Sequence, residues 1–260
     1  MNQWLFSLKA YIKPNLLMIL PLGLVAGIPY GMIMDPLNYW LSKTGVDRSA
    51  IGLLALVFTI YSFKVLWSPL VDRLQIPLLK NLGQRRSWLL VSQVFVFFFL
   101  ITVGLNDPKQ NLQLLVLCVI SLAFFSATQD ICLDALRIEL VEKKELGQSA
   151  AIYQIGWRLG GVYISQVLGL IIGGMIGYSF AYFTVALIFL ALSLLIFWIM
   201  PEPDREIKAY ISIYAEPAKW AKDSIIDPLM DLIERYKSEL SLLLLLIFFY
   251  RLSDMYLGPM

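Results

Sequence analysis

The sequence Ala127-Thr128-Gln129-Asp130-Ile131-Cys132-Leu133-Asp134-Ala135-Leu136-Arg137 closes an apolar run that begins near Asn111. At 3.6 residues per turn, Asp130, Asp134 and Arg137 share one face of a helix, and Gln129 precedes them. A lone charge at the middle of a membrane helix costs about 2.5 to 3.5 kcal/mol on insertion scales. Such groups persist where they face a bundle interior, a partner or a water-filled cavity. The stretch is therefore expected to line a polar path through a membrane.

The rest of the composition agrees. Of 260 residues, 59% are hydrophobic and 15% are charged. The mean hydropathy is +0.72, and soluble domains carry about 25% charge. The apolar residues fall in blocks of roughly 20, the length that crosses about 30 Å of hydrocarbon. The fold class is all-α, a polytopic helical membrane protein. A net charge of +2 gives no basis for a nucleic-acid partner. With no histidine there is no imidazole ligand, shuttle or base. Cys118 and Cys132 lie about 21 Å apart along one helix, so they cannot pair within it. A disulfide framework and a cysteine zinc site are both excluded.

Outward from the opening stretch, six membrane helices are predicted. They run over 16–34, 48–67, 87–105, 111–137, 149–176 and 180–200, with a Gly177-Tyr178-Ser179 turn before the last. Pro21, Pro29 and Pro36 are expected to bend the first helix, and its glycines to let helices approach closely. Residues 1–200 form a six-helix bundle. Residues 201–238 are predicted to be an amphipathic connector lying on the membrane, with Trp220 and Ile225 on its apolar face. Residues 239–260 begin a seventh membrane helix. Lysine and arginine crowd the N-terminus, the links after the second and fourth helices, and the connector. By the positive-inside rule these segments face the cytoplasm.

Two constellations carry the chemistry. The link after the second helix holds Asp72 and Arg73, then Arg85 and Arg86, which form a candidate cytoplasmic gating link together with Arg137. Within the bundle, Lys64, Gln129, Asp130, Asp134 and Arg158 are candidates for a substrate and proton pathway, joined by Arg251 and Asp254 in the seventh helix. A carboxylate shielded from water can load and release a proton. Arginine is the better bidentate partner for a carboxylated substrate. The bland alternatives are that Lys64 snorkels to the interface, that Asp134 and Arg137 pair structurally, and that Arg251 and Asp254 pair with each other. The glycines of the fifth helix, Gly156, Gly160, Gly161, Gly169, Gly173 and Gly174, are expected to serve packing.

Several segments together carry a resemblance. They are Gly27-Ile28-Pro29, Leu66-Trp67-Ser68-Pro69-Leu70-Val71-Asp72-Arg73, Arg85-Arg86-Ser87-Trp88, the opening stretch, Gly156-Trp157-Arg158-Leu159-Gly160 and Tyr250-Arg251-Leu252-Ser253-Asp254. On these residues the chain resembles the AmpG family of muropeptide permeases, within the major facilitator superfamily. Acetyl-CoA carriers share the plan more distantly. The resemblance implies proton-driven import of N-acetylglucosaminyl-anhydro-N-acetylmuramyl peptides across a bacterial inner membrane, with no cofactor and no enzymatic step. Two six-helix halves joined by a linker make such transporters, so five helices are expected to be missing. The chain is then a half-transporter, either inactive alone or completed by a separately encoded C-terminal half.

Overall fold

In lipid every backbone polar group must be satisfied within the segment, so long apolar runs become helices. The computed structural model describes residues 13–201, residue 222 and residues 226–249 apart from 243, 244, 247 and 248. Among the described residues six helices are long and apolar enough to span a membrane. They are α1 (Pro14–Lys43), α2 (Arg48–Leu66), α3 (Gln84–Leu105), α4 (Leu112–Glu139), α5 (Lys143–Met175) and α6 (Tyr178–Ile199). All lie in one compact unit, Met1–Arg205.

Several predicted boundaries shift. α1 continues to Lys43, beyond the expected end at Met34, with Pro29 and Pro36 inside it. α5 begins with a short turn at Lys143, and its middle, Leu159–Val167, is π-helical. The predicted three-residue turn shrinks, because Gly177 alone adopts the left-handed φ of 113° and α6 starts at Tyr178. Asp47 and Asn111 cap α2 and α4 through Ser49 N and Leu114 N. Hydrogen bonding to Ser49 holds the Asp47 carboxyl below its ordinary range.

The second unit, Glu206–Met260, contains α7 (Asp227–Tyr236), a ten-residue helix with Met230 and Ile233 exposed. Asp231 and Arg235 pair on it at 2.9 Å. Most of the predicted connector, including Trp220 and Ile225, lies outside the described residues. So do Arg251 and Asp254 of the predicted seventh helix.

α1 is the axis of the bundle and packs against α4, α5 and α6. α3 joins α4 to α6, whereas α2 lies on α4 and leaves Leu53, Leu56, Phe63, Val65 and Leu66 exposed. The α1–α5 contact is made of glycine. A Cβ on Gly23, Gly27 or Gly31 would land on the carbonyl oxygen of Tyr153, Trp157 or Gly161 respectively. In return, a Cβ on Gly156 or Gly160 would land on the carbonyl of Leu20 or Leu24. Small residues at this spacing let two backbones touch. Carbonyl contacts at such range add weak Cα–H···O attraction.

Each interior proline of α1 frees the carbonyl four residues before it. Pro29 frees Val25, whose oxygen accepts from Gln129 Nε2 of α4 at 3.2 Å. Pro36 frees Met32, whose oxygen accepts from the Tyr182 hydroxyl of α6 at 2.9 Å. The helix is continuous through both prolines, and the carbonyls they free are capped from neighbouring helices.

Gly27→Ala will destabilise the bundle by about 1 to 3 kcal/mol, the usual range for overpacking. Gly174→Ala, where a Cβ meets nothing, will stay within about 0.5 kcal/mol. Reversible unfolding in mixed micelles measures both.

Candidate functional site

α2 and α4 run in the same direction, and their ends toward the short helix Ser68–Arg73 bring four charges together. Lys64 Nζ of α2 stands 3.6 Å from Asp130 Oδ2 and 3.3 Å from Asp134 Oδ2. Arg137 Nη2 lies 3.9 Å from Asp134 Oδ1, and its guanidinium sits 5.3 Å from the Tyr153 ring. Asp130 is the least exposed of the four at 18%, and Asp134 the most at 43%. Two cations and two carboxylates neutralise each other, and that balance is what makes the group tolerable inside an apolar bundle. A proton arriving on either carboxylate would leave Lys64 with one counter-charge.

The neighbouring aromatic residues fix this geometry. Trp67 Nε1 donates to Thr128 Oγ1 at 3.1 Å, and the Trp67 ring packs on Phe124 at 5.1 Å. The indole therefore pins the end of α2 to α4 two residues before Asp130. Sequence reasoning quoted Trp67 and Thr128 without giving either a role. An indole N–H entering an apolar helix pair needs an acceptor, which was the available signal.

A second charge layer lies at Glu139, nine residues on and so roughly 14 Å along α4. Arg85 of α3, almost wholly buried, pairs with Asp72 and lies 3.2 Å from Glu139. Gln84 Nε2 donates to Val71 O at 3.0 Å and Trp88 Nε1 to Leu74 O at 2.6 Å. Arg86 Nη2 donates to Phe197 O of α6 at 2.8 Å. The Arg85, Gln84 and Trp88 contacts clamp the short helix Ser68–Arg73 against α3 and α4, while Arg86 ties α3 to α6. Arg73, on the last turn of that helix, is exposed. Lys13 pairs with the buried Glu145, tying the start of α1 to the first turn of α5.

The predicted pathway residues separate. Lys64, Asp130 and Asp134 meet, so Lys64 is ion-paired. Gln129 turns to α1 to cap Val25 and makes no bond to the acid pair. Arg158 is exposed on α5 and, among the described residues, has no ion pair. Arg137 joins the deeper cluster through Asp134, while Arg85 and Asp72 form the outer one. Among the described residues no group of three metal-ligating side chains occurs. Cys118 and Cys132 are both buried, and neither forms a disulfide.

Six apolar helices enclosing ion pairs at two depths define a multi-pass membrane protein of the transport class. The family profile of the Major Facilitator Superfamily matches residues 15–258. The chain belongs to that superfamily, whose members are transporters and not enzymes. It is 31% identical over 248 residues to the anhydromuropeptide permease of Escherichia coli K12, covering 95% of this chain and 48% of that one. It is 32% identical over 258 residues to "Putative transporter AmpG 4" of Rickettsia felis, covering 96% and 59%. It is 39% identical over 178 residues to "Putative transporter AmpG 3" of Rickettsia prowazekii, covering 66% and 42%. The chain spans about half the length of the curated relatives it matches.

Removing the cation from a buried ion cluster strands its carboxylates. Arg85→Met will lower stability by about 3 kcal/mol, the lower end of the range for broken buried pairs, because Asp72 is partly hydrated. Asp72→Asn will cost less. Denaturant unfolding of both variants in lipid-like micelles checks the order.

Proposed function

We propose that this chain forms the N-terminal bundle of a proton-coupled importer of N-acetylglucosaminyl-anhydro-N-acetylmuramyl peptides. It works in a bacterial inner membrane with its N-terminus in the cytoplasm. One observation carries the proposal: Lys64 is held between Asp130 and Asp134 inside the bundle. The similarity to an anhydromuropeptide permease supplies the substrate class.

The chemistry follows from charge balance. With both carboxylates ionised, Lys64 ties α2 to α4. A proton on Asp130 removes one counter-charge, and Lys64 turns toward Asp134. Proton loading is thereby converted into a movement of α2, the helix that packs least. The exposed guanidinium of Arg158 is suited to the carboxylates of a muropeptide. No cofactor is required, because the proton gradient supplies the work. The gathering of Lys13, Arg73, Arg85 and Arg86 around one end supports a cytoplasmic assignment for that end.

A second half, whether continuous with this one or separately encoded, completes the cavity. The exposed apolar residues of α2 and the span of about half the relatives' length favour this over transport by the bundle alone.

Uptake of labelled anhydromuropeptide into vesicles tests the proposal, with this chain alone and with a second half supplied. Uptake is expected only with the second half and only under an imposed pH gradient. Asp130→Asn is expected to abolish gradient-driven uptake. Unchanged uptake in that variant removes Asp130 from the mechanism, and no uptake in either preparation rejects the substrate.

A further inference from the structure

One turn behind the charge layer, α2 and α4 each contribute a hydroxyl. Tyr61 precedes Lys64 by three residues on α2, and Ser126 precedes Asp130 by four on α4. Tyr61 Oη, Ser126 Oγ and Asp130 Oδ1 are all buried, and among the described residues none makes a hydrogen bond of good geometry. The Tyr61 hydroxyl is a hydrogen-bonding neighbour of the Ser126 hydroxyl and lies within electrostatic reach of Asp130. Ser126 is completely buried. Buried polar oxygens are rarely left unpaired, and each such group needs an explanation.

Three polar partners are the usual complement of a buried water. Both hydroxyls can donate or accept, and an ionised carboxylate only accepts. The deep side of the group is closed by aromatic rings. Tyr30 packs at 5.3 Å on Tyr61, 4.8 Å on Phe58 and 5.4 Å on Trp157. The shallow side carries Lys64 from α2, Asp134 and Arg137 from α4, and Tyr153 from α5. Access from water is therefore through the charge layer.

Resting on the proton-coupled function above, we propose that Tyr61 and Ser126 hold one water molecule against Asp130 Oδ1, and that Asp130 gains and loses its proton through this water. The proton reaches the water from the aqueous side, making a hydronium. It then passes to Oδ1 and leaves the water neutral, and release is the reverse. Tyr61 and Ser126 are positioning residues. Lys64 occupies the other oxygen, Oδ2, so the two oxygens of one carboxylate divide the work. One holds the ion pair and the other exchanges the proton.

Infrared difference spectroscopy of the full chain in lipid nanodiscs, across a pH jump, tests this without any substrate. The carboxyl stretch of protonated Asp130 is identified by its loss in Asp130→Asn. In Tyr61→Phe and in Ser126→Ala that band will persist at a shifted frequency. A water band sensitive to heavy-oxygen water will accompany it in the parent chain and vanish in both variants. Proton uptake in the variants will slow at least about tenfold, the factor carried by one hydrogen bond to a charged group. If Asp130→Asn removes no band, the proton-coupled function itself fails. If it removes a band that Tyr61→Phe and Ser126→Ala leave unmoved, with unchanged uptake rate, the water relay is wrong and Asp130 still carries the proton. Circular dichroism of each variant confirms folding, and Ser126→Thr, which keeps the hydroxyl, is expected to retain the water band and the parent carboxyl frequency.

Discussion

Backbone contact between α1 and α5 sets the frame on which the rest of the bundle is hung. Lipid supplies no hydrophobic drive between helices, so association depends on how closely two surfaces fit. Glycine at three successive i, i+4 positions of α1 removes every side chain that would hold α5 away. The carbonyls of α5 then sit where those side chains would have been. With α1 fixed in this way, its other faces are offered to α4 and α6, and the ionisable residues of α4 are carried to their depth.

The same helix shows how a membrane protein tolerates proline. Pro29 and Pro36 each leave a carbonyl without its donor, and in hydrocarbon such a group costs several kcal/mol. Gln129 and Tyr182 reach across from α4 and α6 to Val25 and Met32. A local defect thus becomes a tertiary contact. It also explains why a glutamine beside Asp130 does not join the charge cluster, since its amide nitrogen is committed to α1.

The architecture was largely legible because hydropathy is a one-dimensional signal. Six runs of the right length gave six helices, with errors confined to ends such as Lys43 and Lys143. The glycines of α5 were read as packing, but their partners on α1 were not, because register between distant segments has no local signature. The site was legible by kind rather than by pairing. Charge at bilayer depth pointed to Asp130, and 3.6-residue spacing joined it to Asp134. Lys64 lies 66 residues earlier, and only the shared direction of α2 and α4 brings it alongside. Arg158 went the other way, for its depth along α5 said nothing about the side on which it emerges. The hydroxyls of Tyr61 and Ser126 were invisible to sequence reasoning, since tyrosine and serine are unremarkable in any membrane helix.

The glycine contacts also have a constant offset. Gly23 meets Tyr153, Gly27 meets Trp157 and Gly31 meets Gly161, each pair 130 residues apart, so the two helices run parallel in fixed step. Such a seam works like a toothed rack. A slip of one residue would drive Cβ atoms into carbonyls along three turns at once, and a slip of a full turn would leave a tooth without its gap. α1 and α5 are therefore poorly placed to slide past one another. The sliding surfaces of the bundle must be sought along α2, whose loose seat on α4 is secured by Lys64 and one indole.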